Sequence, residues 1–296
     1  MDVNELHIAS YERYHRARRT SPETIKSYRT TLLQVAQFRP GADLTELERA
    51  DLEEFLIAAQ EAGNSGATVH KKFRNLRAFY RWCEAEEIVD KNPMARIAEP
   101  SVTDKPVPIV PDEQIAALLK ACAGKDFTAR RDTAMIRLWC EAGSPRVSEM
   151  VGITLDRLDM RHDQITVHGK GDKIRVIPFG AKTGQAIDRY LRIRSKHKDA
   201  ARIDALWLAE RGGALTGSGA YQMLERRCED AKIPKINPHK LRHLAAHLWA
   251  DAGGSEGDAM ALFGWSSAEM PRRYGRSAQV ERAHRAARRV SQADRF

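Results

Sequence analysis

Cysteine is scarce in this chain: four in 296 residues, at Cys83, Cys122, Cys140 and Cys228, widely spaced and with no CxxC pair. That spacing excludes a disulfide framework and a zinc ribbon, and it fits a reducing cytoplasm. No run approaches the ~20 apolar residues needed to span a bilayer, so no membrane association is expected. The opening stretch MDVNELHIASYERYHRA lacks the apolar core of a secretory signal. There is no internal repeat, no low-complexity tract, no P-loop and no acidic metal cluster.

What is present is ordinary core material and an excess of positive charge. Apolar residues make up 42% of the chain, enough to bury a sizeable core. Forty-nine Lys and Arg face 40 Asp and Glu, a net charge of +9, so the expected large partner is a polyanion. The length suits two domains. A boundary stands out at Glu99-Pro-Ser-Val-Thr-Asp-Lys-Pro-Val-Pro108, where three prolines in ten residues and no helical period read as an extended linker. The expected division is a helical domain over 1–99, a linker over 100–110 and a second domain over 111–296.

The first domain reads as helices. Ser21 is an N-cap with Pro22 at the first helical position, and Ile25, Tyr28, Leu32 and Val35 then recur on one face. A second helix carries Leu52, Phe55, Leu56 and Ala59. A third runs from Thr68 to Cys83 with Val69, Phe73, Leu76, Tyr80 and Cys83 on its apolar face. His70, Arg74, Arg77 and Arg81 form a separate basic stripe, with Lys71 and Lys72 nearby. In the second domain helices are expected from Pro111, around Ala134–Trp139, and over 183–194, 217–231 and 238–252. Gln164–His168 alternates and Ile174–Phe179 is β-rich. Gly169-Lys170-Gly171-Asp172 between them is hairpin turn chemistry. The fold class is therefore mainly α, with a small β-hairpin or sheet in the second domain. Two basic domains on a tether can close on a duplex, each neutralising phosphates on a different face.

Four short segments carry chemistry. Arg146 follows a Gly-Ser-Pro turn and opens a helix, near an end that attracts anions, with Glu149 as an ion-pair partner. Lys170 sits on the protruding turn. In Asn237-Pro238-His239-Lys-Leu-Arg242-His243, His239 and Arg242 are one turn apart at a helix start, which makes a phosphate pocket holding a titratable group. Tyr274 lies among Arg272, Arg273 and Arg276, cations that favour its nucleophilic phenolate. His243 and His247 have helical zinc spacing but lack the Glu of a zinc hydrolase, so no metal is expected.

In the order Arg146, Lys170, His239-x-x-Arg242, Trp265 and Tyr274, these residues resemble the catalytic series of the tyrosine recombinase (phage integrase) family. Gly-Lys-Gly-Asp-Lys-Ile-Arg is similar to the family's lysine hairpin. Leu-Phe-Gly-Trp-Ser-Ser is similar to its Leu-Gly-His-Ser-Ser segment, with Trp265 where most members have His. Thr24-Ile-x-x-Tyr28, Thr68–Trp82 and Asn92-Pro93-Met94 resemble the core-binding domain. Ser144-Pro145 departs from the family's usual Gly-Leu. The resemblance starts near residue 1, which points to a minimal two-domain member without an arm-binding domain.

The resemblance implies a helical core-binding domain, a catalytic domain and a site-specific recombinase. Arg146 and Arg242 would clamp the phosphate, Trp265 would donate a hydrogen bond and Tyr274 would attack. Lys170 would be the general acid, His239 the acid–base partner, and Glu149 and His243 would support. His70, Lys71, Lys72, Arg74, Arg77, Arg81, Lys173 and Arg175 are the expected DNA contacts. No cofactor is implied. Expected partners are double-stranded core sites, three further copies in a tetramer docked through a tail helix over 277–290, and accessory DNA-bending proteins. Trp265 and the short chain favour phage or mobile-element integration over Xer-like chromosome or plasmid dimer resolution. A non-catalytic DNA-binding protein, a type IB topoisomerase and a zinc protein using His239, His243 and His247 are the competing readings.

Overall fold

A computed structural model describes residues 2–101, 108–169, 173–267 and 269–271, with short pieces at 283–284 and 287–289. The chain forms two compact units, Met1–Lys105 and Pro106–Phe296.

The first unit contains α1 (Val3–Ala17), α2 (Pro22–Phe38), α3 (Arg49–Glu61) and α4 (Gly66–Ala85). Asp2, Ser21 and Ser65 accept the backbone N–H groups of Asn4, Thr24 and Thr68, which satisfies donors left over at helix starts. Because Ser65 supplies the cap, α4 begins at Gly66, ahead of the Thr68 start read from the sequence. Leu32, Val35, Leu52, Phe55, Leu76 and Tyr80 are all buried between the helices. Tyr11 is packed by Tyr28, Phe79 and Trp82 at centroid distances of 5.1–5.3 Å. Buried Asn4 pins α1 to the loop before α3: its amide donates to Ala42 O at 2.8 Å, and its carbonyl accepts from Leu44 N at 2.8 Å.

The second unit opens with α5 (Asp112–Ala121), α6 (Phe127–Cys140) and the short α7 (Val147–Val151). Then come β1 (Leu158–Asp159), β2 (Gln164–His168) and β3 (Ile174–Pro178), followed by α8 (Ala181–Arg194), α9 (Gly217–Asp230), α10 (Pro238–Asp251) and α11 (Glu256–Phe263). The strands form an antiparallel sheet in the order β1-β2-β3, with Val167 opposite Arg175 and His168 opposite Ile174. Gly169 N donates to Lys173 O at 2.7 Å and closes the root of the expected hairpin. Trp139 and Met135 of α6, Tyr190 of α8, Trp207, Ile177 and Leu241 fill the core. Asp132 of α6 is buried and accepts from Arg131 at 2.7 Å and from Arg227 of α9 at 2.9 Å. The protein is thus mostly helical with one small antiparallel sheet, as the sequence implies. No helix among the described residues is long and apolar enough to cross a membrane. The tail helix read over 277–290 and the middle of the proline-rich linker lie largely outside the described residues.

Candidate active site and nucleic-acid interface

The site in the second unit is built on the turn between α6 and α7. Gly143 adopts φ +87°, and a methyl group there would stand 2.9 Å from Leu262 O, so the turn needs glycine. Its next three carbonyls are held one by one. Arg175 Nη2 donates to Gly143 O at 3.3 Å, Arg242 Nη1 donates to Ser144 O, and Trp139 Nε1 donates to Pro145 O at 3.1 Å. Arg146 N donates to Glu149 Oε2 at 2.7 Å, so the Glu149 side chain caps the start of α7. The Ser144-Pro145 departure from the family pattern is accommodated in a turn whose three carbonyls are all held.

The end of α11 meets the same arginines. Gly264 caps that helix in the left-handed conformation, φ +61°. Leu262 O accepts from Arg175 Nε at 2.8 Å, Phe263 O from Arg242 Nη2, and Gly264 O from Arg146 Nη2 at 3.3 Å. Three successive carbonyls at the negative end of a helix thereby receive three guanidinium groups.

Arg242 is buried, 5.2 Å from the Phe263 ring centroid and 5.8 Å from that of Trp265, and these two rings stack at 4.7 Å and 12°. The Arg146 side chain is 39% exposed. It lines a cleft of about 450 Å³ with Lys173, Ile174, Trp265 and Ser266. Beneath it, Glu149 is buried and gives one oxygen to Arg146 Nη1 and the other to Arg175 Nη2, both at 2.7 Å. Burial alone would raise its pKa. The hydrogen bonds and charge of Arg175 and Arg146 outweigh that and hold the carboxyl down to about 2.

The structure therefore brings together Arg146, Glu149, Arg242, Trp265 and Lys173. His239 is exposed on the first turn of α10, one turn before Arg242, and His243 is buried behind it. Lys170 and Tyr274, with its neighbours Arg272, Arg273 and Arg276, lie outside the described residues. Among the described residues no three His, Cys, Asp or Glu side chains converge to hold a metal ion. Arg175, expected from the sequence to contact DNA, is held mainly by protein groups. Its side chain is only 9% exposed, its bonds go to Glu149, Gly143 and Leu262, and it forms part of the wall of the same cleft as Arg146. Trp139, Gly143 and Gly264 were not singled out from sequence, although the Gly-Ser-Pro and Phe-Gly-Trp punctuation marks both turns.

In the first unit, α2 and α4 border a cleft of about 480 Å³ lined by Thr24, Tyr28, Lys71, Arg74, Arg77 and Arg81. His70 also lines it. Its Nε2 is 2.7 Å from Glu99 Oε1, and Arg77 Nη1 donates to Glu99 Oε2 at 2.9 Å. Lys72 is not among the residues lining this cleft. Its ammonium bonds Gln34 of α2 and lies 5.3 Å from the Phe55 ring centroid of α3.

Comparison with known proteins matches residues 109–281 to the phage integrase family and residues 8–87 to the phage integrase N-terminal SAM-like domain. The chain is 30% identical over 256 residues to tyrosine recombinase XerC of Corynebacterium efficiens, covering 86% of this chain and 81% of that one. It is 33% identical over 258 residues to XerC of Oceanobacillus iheyensis, covering 84% of each. A Tn1549 transposon integrase structure in complex with transposon right end DNA shares the fold, with TM-score 0.76, 21% identity, and 98% and 100% coverage. XerH bound to a palindromic difH substrate gives TM-score 0.73 at 20% identity, covering 92% of this chain and 81% of that one. The chain belongs to the phage integrase family. Within it, the chain is a tyrosine-type site-specific DNA recombinase, an enzyme that breaks and rejoins DNA strands.

Proposed function

We propose that the enzyme acts in the cytoplasm on double-stranded core sites, through a 3′-phosphotyrosyl intermediate and a Holliday junction, as a tetramer on two paired sites. Tyr274 Oη attacks phosphorus, forming the phosphotyrosyl bond while the bond to O5′ breaks. Lys170 gives a proton to the leaving oxygen, and His239 takes the phenol proton. Arg146 and Arg242 hold the non-bridging oxygens as charge builds, and the Trp265 indole donates a further hydrogen bond. Glu149 and His243 orient these groups without reacting. The bond to tyrosine conserves the phosphodiester energy, so rejoining needs no ATP. Lys71, Arg74, Arg77, Arg81 and His70 line the phosphate-binding face of the first unit, and accessory DNA-bending proteins can assist assembly.

The observation that carries this reading is Arg146: one face of its guanidinium is fixed by Glu149 and Gly264, while its exposed part opens on the cleft. An entering phosphate meets a donor already oriented. Incubation with a nicked suicide substrate should leave a covalent protein–DNA adduct on a denaturing gel. Tyr274→Phe should bind the same DNA and form none. Binding without any adduct by the native chain would make the protein a non-catalytic DNA binder.

The biological setting we propose is phage or mobile-element integration and excision, supported by Trp265 in place of the usual histidine. The XerC name shared by the curated relatives favours Xer-like dimer resolution instead. Sequencing the genomic fragments captured as adducts separates the two, since one setting yields element ends and the other a fixed chromosomal or plasmid site.

A further inference from the structure

We propose that Arg175 is a positioning residue that assembles the active site, joining the lysine hairpin, the Arg146 turn and the end of α11 through one guanidinium. It rests on the recombinase reading above. From β3, the side chain reaches Glu149 Oε2 at 2.7 Å, Gly143 O at 3.3 Å and Leu262 O at 2.8 Å. Each acceptor belongs to a different part of the site. Glu149 orients Arg146, Gly143 begins the catalytic turn, and Leu262 ends the helix that presents Trp265.

A second set of observations supports the same role. The guanidinium lies in a slot walled by two glycines. A methyl group on Gly264 would come within 3.2 Å of Arg175 Nη1, and one on Gly169 would meet Glu149 Oε1 at 3.2 Å and Arg175 Nη1 at 3.7 Å. Gly169 directly precedes Lys170, so the root of the general-acid hairpin rests on the Arg175–Glu149 pair. On β3, Ile174 and Val176 are 61% and 43% exposed, while Arg175 turns inward on the face that buries Ile177. Lysine cannot replace it, because a single ammonium lacks the planar fork that spans three separate acceptors.

The test measures adduct formation at saturating suicide substrate, core-site Kd and melting temperature for the native chain, Arg175→Lys and Gly169→Ala. Arg175→Lys should lower the cleavage rate roughly 100-fold, the scale of a misplacement near 1 Å, with Kd within about threefold. Gly169→Ala should lower the rate in the same direction, also at unchanged Kd. A Lys variant that cleaves at the native rate overturns the proposal. So does a Lys variant whose core-site Kd rises well beyond threefold while its saturated rate stays native, which would return Arg175 to the DNA contacts. If Arg175→Lys does not fold, Gly169→Ala decides by the same two criteria. Absence of adduct from the native chain would instead reject the recombinase chemistry.

Discussion

Glu149 is the residue on which protonation bears most directly. Its folded pKa is held near 2 against an ordinary 4.5, so it is charged in the folded chain over a wider range than in the unfolded one. A depressed carboxylate stabilises the fold above the unfolded pKa and loses that contribution as pH falls through the folded value. At neutral pH the shift corresponds to about 3 kcal/mol. Glu149→Gln should therefore melt below the native chain at pH 7, and the gap should narrow as pH is lowered from 4.5 towards 2. A gap that stays constant over that range would remove the ion pairs as its cause. Trp265 allows packing and donation to be separated. Trp265→Phe keeps a ring on Phe263 and drops the indole N–H. It should retain near-native stability and lose roughly 100-fold in adduct rate, the scale of one lost transition-state donor. An unchanged rate would leave Trp265 only its packing role.

At the scale of elements, much of the fold is legible before any coordinates. Leu32, Val35, Leu52, Phe55, Leu76 and Tyr80 recur at helical spacing and are buried where that spacing puts them. Ser21 caps α2 as its position before Pro22 implies. The alternation of Gln164–His168 marks β2 from end to end. Other features were hidden for physical reasons. In α1 the anchor is Asn4, a polar residue whose burial depends on distant carbonyl and amide partners in the loop before α3. In α11, alanine, glycine and methionine give little contrast between faces. Arg175 reads as an outward charge between two apolar neighbours, and only the packing of α7 and α11 against the sheet shows that the pattern runs the other way. The basic stripe was largely legible, but Lys72 shows that one helical step decides whether a lysine meets solvent or a neighbouring helix. Arg74→Ala and Arg81→Ala should each weaken core-site binding and reduce the slope of log K against log salt by roughly one. Lys72→Ala should leave that slope unchanged. Salt titrations by fluorescence anisotropy decide it, and equal losses for all three would return Lys72 to the DNA face.

For the molecule as a whole, the ordered series of Arg146, Lys170, His239, Arg242, Trp265 and Tyr274 carried the family assignment, because each residue is ambiguous alone and the sequence preserves order without showing distance. The convergence of three arginines on two turns was not readable in that way, since Gly143 and Leu262 are far apart along the chain. Assembly is the remaining question at this scale. The tail role expected from the sequence, docking on a neighbouring copy, is a proposal that truncation tests. A chain truncated after Arg276 should bind a single site with native affinity and form fewer tetramers on paired sites, measured by sedimentation velocity. Full recombination by the truncated chain would show that the tail has no part in assembly.

Glu99 has a consequence for how tightly the first unit grips its target. Its carboxylate already pairs with Arg77 while bonding His70, so an arriving duplex exchanges one anion for another at Arg77. Fewer counterions are released at Arg77 than a tally of basic groups would imply. The first unit should consequently tolerate rising ionic strength better than its charge alone foretells, trading some strength of attraction for steadiness.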